Sequence, residues 1–231
     1  NNYLQYYYHA WSSEIIYFLN QQRSLLALQK AEKMKKQAFA DRYPYGIFSC
    51  IRAMGHIYKS RGNFGLSAQY YQEALDYMLK NMPDQDPSQL YSSLAEYYRN
   101  TQKDYATALD YCEKALKSAK TERNIAQAMI EKCLVLFRQG RIDEFNDCYK
   151  EAVQMADRCK LSASVSLLIA HISKNILDKQ YEQAHAHADQ LSEEGLQQHA
   201  YIYECAKDYP NAIKYLKTYH QQLDSTNNLL Q

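Results

Sequence analysis

The side chains that could do chemistry in this sequence are its histidines and cysteines. His185 and His187 stand two residues apart, and His171, His199 and Cys205 lie in the same C-terminal part of the chain. A chelating pair on a helix needs a spacing of three or four residues, because residues two apart point to different faces. The spacing argues against a metal site, and we predict none.

Nucleophilic catalysis has little basis in the sequence. Cys205 follows Tyr201 by one helical turn and has no neighbour that would activate a thiol. The six glycines are spread along the chain and cannot build a phosphate-binding loop. No serine elbow or P-loop occurs. We therefore predict no catalytic residue, no cofactor and no enzymatic activity for this chain.

The cysteines are widely spaced, and no Cys-x-x-Cys motif occurs. Their even number permits disulfides, but the spacing does not suggest the framework of a small secreted domain. Cysteine usage therefore leaves the redox compartment open. The six cysteines are Cys50, Cys112, Cys133, Cys148, Cys159 and Cys205.

The composition is that of a folded protein. The chain has 231 residues, of which 46% are hydrophobic and 23% charged. A formal net charge of +1 argues against a nucleic-acid partner, which would favour a basic excess. No apolar run is long enough to span a membrane. Tyrosine is unusually frequent, with 23 residues, and we attribute most of these rings to packing.

The elements that would position these side chains are helices with a repeated sequence pattern. The pattern is clearest over residues 45–75. Two amphipathic helices are joined by a turn at residues 60–63. Small residues of one helix face small residues of the other, which allows close packing, and large rings fill the space around that contact. The residues of this pattern are Met54, Gly55, Tyr58, Gly62, Phe64, Ser67, Tyr71, Ala74 and Leu75.

This pattern resembles the tetratricopeptide repeat (TPR), a helix-turn-helix of about 34 residues. The resemblance implies an all-α fold, a TPR-like right-handed superhelix of antiparallel helix pairs, with about five to six repeats in a single array over residues 1–231. Because one repeat cannot bury its apolar face alone, further copies are expected. They fall at residues 11–34, 94–116, 133–153, 163–191 and 196–219, and the copy at 94–116 has one extra residue in its turn.

In such a superhelix the first helices of successive repeats line a concave groove. The resemblance therefore places the exposed sides of these helices in a recognition surface, on which the basic residues could bind carboxylates. A second interpretation, that these are ordinary solvated helix charges, stays open. The candidate groove-binding residues are Arg52, His56, Lys59, Glu96, Arg99, Gln127 and Arg138, with Ser49, Gln89, Ser92, Ile130 and Leu134 on the same predicted faces.

One TPR subfamily clamps the C-terminal carboxylate of chaperones with lysine and asparagine. This chain has His56, Ser92 and Glu96 at those positions, which argues against a chaperone-tail adaptor. A narrower resemblance is to the N-terminal repeat region of bacterial membrane-bound sensor histidine kinases. It is carried by AEKM at 31–34, YPYGI at 43–47, AMGHIY at 53–58 and IKYLKTYH at 213–220.

The narrower resemblance implies a sensory domain that binds a protein, a peptide or a small, sugar-linked signal. Binding would be relayed through the C-terminal helix, by a change in the pitch of the superhelix or by homodimerisation. It implies a periplasmic location, with the membrane reached only through flanking segments. The alternative is a cytoplasmic scaffold that assembles proteins without signalling output. The chain starts at Asn1 without methionine and stops at Leu229-Leu230-Gln231, so we expect an excised domain of a longer protein.

Overall fold

The computed structural model describes residues 2–161, 164–191 and 195–228. In these ranges the chain forms twelve α-helices and one π-helical turn, and no strand. The predicted all-α fold is therefore confirmed. Two predicted features lie outside the described residues: Ala163, where the repeat at 163–191 begins, and the chain end at 229–231.

The chain divides into two compact units, and the first, unit 1, is Asn1–Lys120. Its consecutive helices pack against each other around a core that is rich in alanine, isoleucine and tyrosine. The elements are α1 (Asn2–Asn20), α2 (Ser24–Ala40), α3 (Pro44–Ser60), α4 (Phe64–Asn81), α5 (Ser88–Tyr97), the π-helical turn (Tyr98–Gln102) and α6 (Tyr105–Ser118).

The second unit, unit 2, is Thr121–Gln231. Its elements are α7 (Glu122–Arg138), α8 (Ile142–Arg158), α9 (Val165–Leu177), α10 (Tyr181–Ala188), α11 (Gly195–Cys205) and α12 (Tyr209–Asn228). The single array over residues 1–231 remains a prediction. Within the described ranges, no helix is both long and apolar enough to cross a membrane.

The close contact predicted between α3 and α4 is present. The hydroxyl of Ser67 donates a hydrogen bond of 2.9 Å to the carbonyl of Gly55. A β-carbon added at Gly55 would lie 2.5 Å from a ring carbon of Tyr71. Because only glycine leaves room for that ring, the small residue of the first helix determines how closely the second can approach.

Local sequence explains where the helices of this pair begin and end. Gly62 has a φ of +71°, a conformation that favours glycine, and follows the last turn of α3. The side chain of Asn63 then accepts a hydrogen bond from the amide of Leu66, which caps α4. The turn predicted at residues 60–63 is therefore confirmed.

The two ends of α5 have distinct local causes. α5 begins at Ser88, and Pro87 takes the capping position. Asp86 accepts a hydrogen bond of 2.9 Å from the amide of Ser88. At the other end, the extra residue of this repeat is absorbed by the π-helical turn and by Lys103, whose φ is +54°.

Candidate functional site

A depression between α1 and α3 of unit 1 is lined in part by predicted groove residues. Each helix contributes four residues at a spacing that places them on one helical face. The space between them is about 250 Å³, including open solvent. The lining residues are Ser12, Ile15, Ile16 and Leu19 from α1, and Ser49, Arg52, Ala53 and His56 from α3.

The depression is largely apolar and contains an unsatisfied polar atom. Ile15 is fully buried beneath it, whereas Ile16 leaves 48% of its surface exposed. The Ser49 hydroxyl is buried and has no hydrogen-bond partner among the described residues. This hydroxyl is therefore a costly polar atom beneath an otherwise apolar depression.

Arg52 supplies the positive charge at the edge of the depression. Its guanidinium lies over the ring of Phe48, one turn earlier on α3, with its carbon 5.3 Å from the ring centroid. In the described part of the chain, no carboxylate pairs with it. The ring therefore holds the guanidinium in place while its hydrogen-bond donors remain open to an external anion.

His56 is positioned by the same contact that joins α3 to α4. The hydroxyl of Tyr71 lies 2.9 Å from Nδ1 of His56, and the two rings meet edge to face. Loss of hydration, and then the charges of Arg52 and Lys59, lower the pKa of His56 below its usual value. The imidazole is therefore neutral at pH 7, and when Nδ1 accepts the tyrosine proton, Nε2 carries a hydrogen that it can donate.

Lys59 and Glu96 were predicted as separate groove residues, but the structure pairs them. The ammonium of Lys59 lies 2.6 and 2.7 Å from the two carboxylate oxygens of Glu96. The pair is partly exposed and joins α3 to α5. Because Glu96 neutralises Lys59, the charge that remains open beside the depression is that of Arg52.

Arg99 is not on an exposed surface, contrary to the prediction. It retains only 5% exposure, and its guanidinium donates a hydrogen bond of 2.7 Å to the side-chain oxygen of Asn100. Ser49, Ser92, Ile130 and Leu134 are also buried. A first helix is packed against neighbours on two sides, so its exposed strip is narrower than the sequence suggested.

Two predicted residues, Gln127 and Arg138, lie in unit 2. Both are exposed, and they stand on one face of α7 about 16 Å apart along its axis. The guanidinium of Arg138 lies 4.7 Å from the centroid of the Tyr201 ring.

The histidines of α10 point to opposite sides, as their spacing predicted, and each meets another histidine. His187 stacks on His171 of α9 with ring centroids 5.0 Å apart. Nδ1 of His185 lies 2.7 Å from Nδ1 of His199 on α11, whose Nε2 lies 3.1 Å from Asp189. These pairings were missed, because sequence spacing does not report contacts between helices.

The same histidines and Cys205 are the side chains that bear on metal binding and nucleophilic chemistry. Among the described residues, no group of three or more histidine, cysteine or carboxylate side chains could hold a metal ion. Burial raises the pKa of the Cys205 thiol, which favours the unreactive protonated form.

Comparison with solved structures identifies the fold. The chain is similar to PilW, a widely conserved type IV pilus biogenesis factor, with a TM-score of 0.58 and 13% identity over 97% of this chain and 98% of that one. It is also similar to a Podosopora anserina putative kinesin light chain with nearly identical TPR-like repeats, with a TM-score of 0.54 and 11% identity over 95% of this chain and 96% of that one. The chain has a TPR-like fold.

A third similar structure is BtubC (BKLC) from P. vanneervenii, with a TM-score of 0.54 and 16% identity over 90% of this chain and 92% of that one. No protein-family model matches the chain, and no curated protein matches it by sequence. At these identities the likeness concerns the TPR-like fold alone.

Proposed function

We propose that this TPR-like chain is a protein- or peptide-binding module that recognises a segment carrying one carboxylate next to one apolar side chain. The observation that carries the proposal is Arg52, fixed against Phe48 without a carboxylate partner in the described residues, at the edge of an apolar depression. Binding rather than catalysis is the function that such a surface supports.

The proposed contacts follow from the chemistry of the lining residues. A guanidinium binds a carboxylate through two parallel hydrogen bonds, which fixes both position and orientation. Ile16 and Leu19 offer apolar surface to the neighbouring side chain of the ligand. Neutral His56 adds a hydrogen-bond donor without a second charge.

A peptide array tests this proposal. The array holds peptides with one apolar residue beside Asp or Glu, and each has a twin with Asn or Gln in place of the acid. We expect wild-type protein to prefer acidic members by about tenfold or more, since charge-assisted hydrogen bonds contribute about 1.5–3 kcal/mol. Arg52→Glu should abolish the preference.

The matched control is Arg123→Glu, which makes the same charge change at an exposed position in the first turn of α7. It should keep the preference of the wild type. The proposal fails if no acidic peptide is preferred over its twin, or if the preference survives Arg52→Glu.

We also propose that the module is the periplasmic sensory part of a bacterial sensor histidine kinase, relaying binding through its C-terminal helix. The support is the resemblance of residues 31–58 and 213–220 to the repeat region of such kinases. The full-length gene tests it. A signal peptide before Asn1 and an apolar span followed by a kinase after Gln231 are expected; their absence would favour the cytoplasmic scaffold. Light scattering with and without ligand would test homodimerisation.

A further inference from the structure

Two cysteines meet inside the helix pair α7–α8 of unit 2. The sulfur of Cys133, on α7, lies 2.7 Å from the sulfur of Cys148, on α8. Cys133 is fully buried, whereas Cys148 is partly exposed. The sulfur of Cys148 also lies 3.5 Å from the carbonyl oxygen of Met129. The two thiols are fifteen positions apart in the sequence, and it is the packing of the two helices that brings them together.

The position of this pair within the repeat explains the contact. Cys133 occupies the place that Gly55 occupies in unit 1, where the first helix presents a small residue to the second. At Gly55 the facing space is filled by the ring of Tyr71. At Cys133 the small residue carries a sulfur, and this sulfur meets the sulfur of Cys148 on the second helix. The sulfur–sulfur distance exceeds a disulfide bond by about 0.7 Å, so a small movement brings the atoms to bonding distance.

We propose that Cys133 and Cys148 are a modification site at which a low-molecular-weight disulfide, such as oxidised glutathione, forms an intramolecular disulfide. The partly exposed Cys148 reacts first: its thiolate attacks the external disulfide, forms a mixed disulfide and releases one thiolate. Cys133 then loses its proton and attacks the sulfur of Cys148, which releases the second thiolate. Two protein thiols are oxidised to one disulfide, and one external disulfide is reduced to two thiols.

The physical consequence is a covalent link between α7 and α8. It closes a loop of about fifteen residues, which restricts the unfolded chain and stabilises the folded one. The disulfide then holds the two helices of this repeat together. This site is independent of the depression in unit 1, so its chemistry is testable whether or not the proposed ligand binds.

The test is peptide mapping of the whole protein after equilibration with oxidised and reduced glutathione and rapid alkylation. We expect the peptides containing Cys133 and Cys148 to be joined with the loss of two hydrogen atoms. The unfolding midpoint should rise by about 5 °C or more and return to its starting value with dithiothreitol. Alkylation of both cysteines in fully oxidised buffer, or a glutathione adduct that persists on Cys148, would overturn the proposal.

Two variants separate the link from other effects of oxidation. Cys148→Ala, at the partly exposed position, should fold and should lose the oxidant-dependent rise in the unfolding midpoint. Cys159→Ser, at the partly exposed C-terminal end of α8, should keep the rise. If Cys148→Ala retains the rise, or Cys159→Ser loses it, the link does not join Cys133 to Cys148.

Discussion

The two units use the same tyrosine position of the repeat in different ways. In unit 1 the hydroxyl of Tyr71 contacts His56, which belongs to the first helix of the same repeat. In unit 2 the hydroxyl of Tyr149 lies 2.5 Å from Nδ1 of His171, which belongs to the first helix of the next repeat. Tyr71 therefore joins the two helices of one repeat and orients His56 beside the depression. Tyr149 instead joins one repeat to the next.

The surroundings of the two contacts differ as well. Beside Tyr71, the rings of Tyr58 and Tyr70 stack 5.3 Å apart. Beyond Tyr149 comes a series of histidine pairs, from His171 and His187 to His185 and His199. One helix-pair architecture therefore tolerates different packing chemistry, and we expect different conditions to disturb the two units.

The largest expected effect is that of Gly55→Ala in unit 1. Because the new β-carbon would lie 2.5 Å from the Tyr71 ring, α4 must move away, and we expect a loss of about 2–3 kcal/mol in the free energy of unfolding. Urea unfolding measures this loss. The control is Gly65→Ala, where a β-carbon meets nothing within 4 Å. A neutral Gly55→Ala would show that the repeat does not depend on this contact.

Acid should destabilise unit 2 through its histidine pairs. Burial, and then the neighbouring His187 or His199, lower the pKa of His171 and of His185. Such groups bind fewer protons when folded, so stability is fully present above the unfolded pKa of 6.5 and falls as the pH decreases below it. Each unit of pKa difference corresponds to about 1.4 kcal/mol.

The groups packed against the rings of His171 and His185 also influence how these two histidines take up protons. His185 faces His199 and Tyr203 of α11. Asp189 is hydrogen-bonded to His199, and the ring of Tyr215 packs against the His199 ring. Tyr149 and the charge of Asp157 face His171 from α8. Unfolding midpoints measured from pH 8 to pH 5 should therefore fall less steeply in His185→Gln than in wild type.

The exposed His9 supplies the control for this pH dependence. His9→Gln should leave the slope unchanged. His56 in unit 1 has a pKa lowered to about 4, so it should contribute to the pH dependence as well. An unchanged slope in His185→Gln would contradict the account of unit 2.

Removing the hydroxyl of Tyr71 or of Tyr149 should have an effect of intermediate size on stability. Tyr71→Phe and Tyr149→Phe should each cost about 1 kcal/mol, the usual contribution of one hydrogen bond. Hydrogen exchange should show where the loss falls. Tyr71→Phe should raise exchange in α3 and α4, and Tyr149→Phe in α8 and α9. Identical exchange patterns in the two variants would refute the distinction between contacts within and between repeats.

The smallest effect concerns Lys59 and Glu96. Partly exposed ion pairs contribute little, so a double-mutant cycle with alanine should give a coupling below about 1 kcal/mol that weakens with salt. A larger, salt-independent coupling would show that the pair, rather than helix packing, holds α3 against α5.

Sequence reasoning predicted the helix pairs because their signals are local. Gly62 and Asn63 define a turn through backbone conformation and capping, and Gly55 with Ser67 defines a close contact through size alone. The extra residue of the next repeat was visible, but its absorption as a π-helical turn was not. Whether the extra residue forms a π-helical turn or lengthens the loop depends on how the helices pack, which cannot be read from the sequence.

The candidate site was predicted less completely. The positions of Arg52 and His56 followed from helical periodicity, whereas the burial of Arg99 and Ser49 depends on neighbouring helices. The pairing of Lys59 with Glu96 and the contact between Cys133 and Cys148 join residues far apart in the sequence. Only the angle and distance between helices decide such contacts.

Photo-crosslinking tests the proposed recognition site most directly. A peptide selected for its acid-dependent binding would carry a photoreactive apolar residue next to the carboxylate, and the crosslinked positions would be mapped by mass spectrometry. We expect crosslinks to α1 and α3 around Ile16 and Leu19, which should be lost in Arg52→Glu and kept in Arg123→Glu. Crosslinks confined to unit 2, or unchanged by Arg52→Glu, would contradict the proposed site.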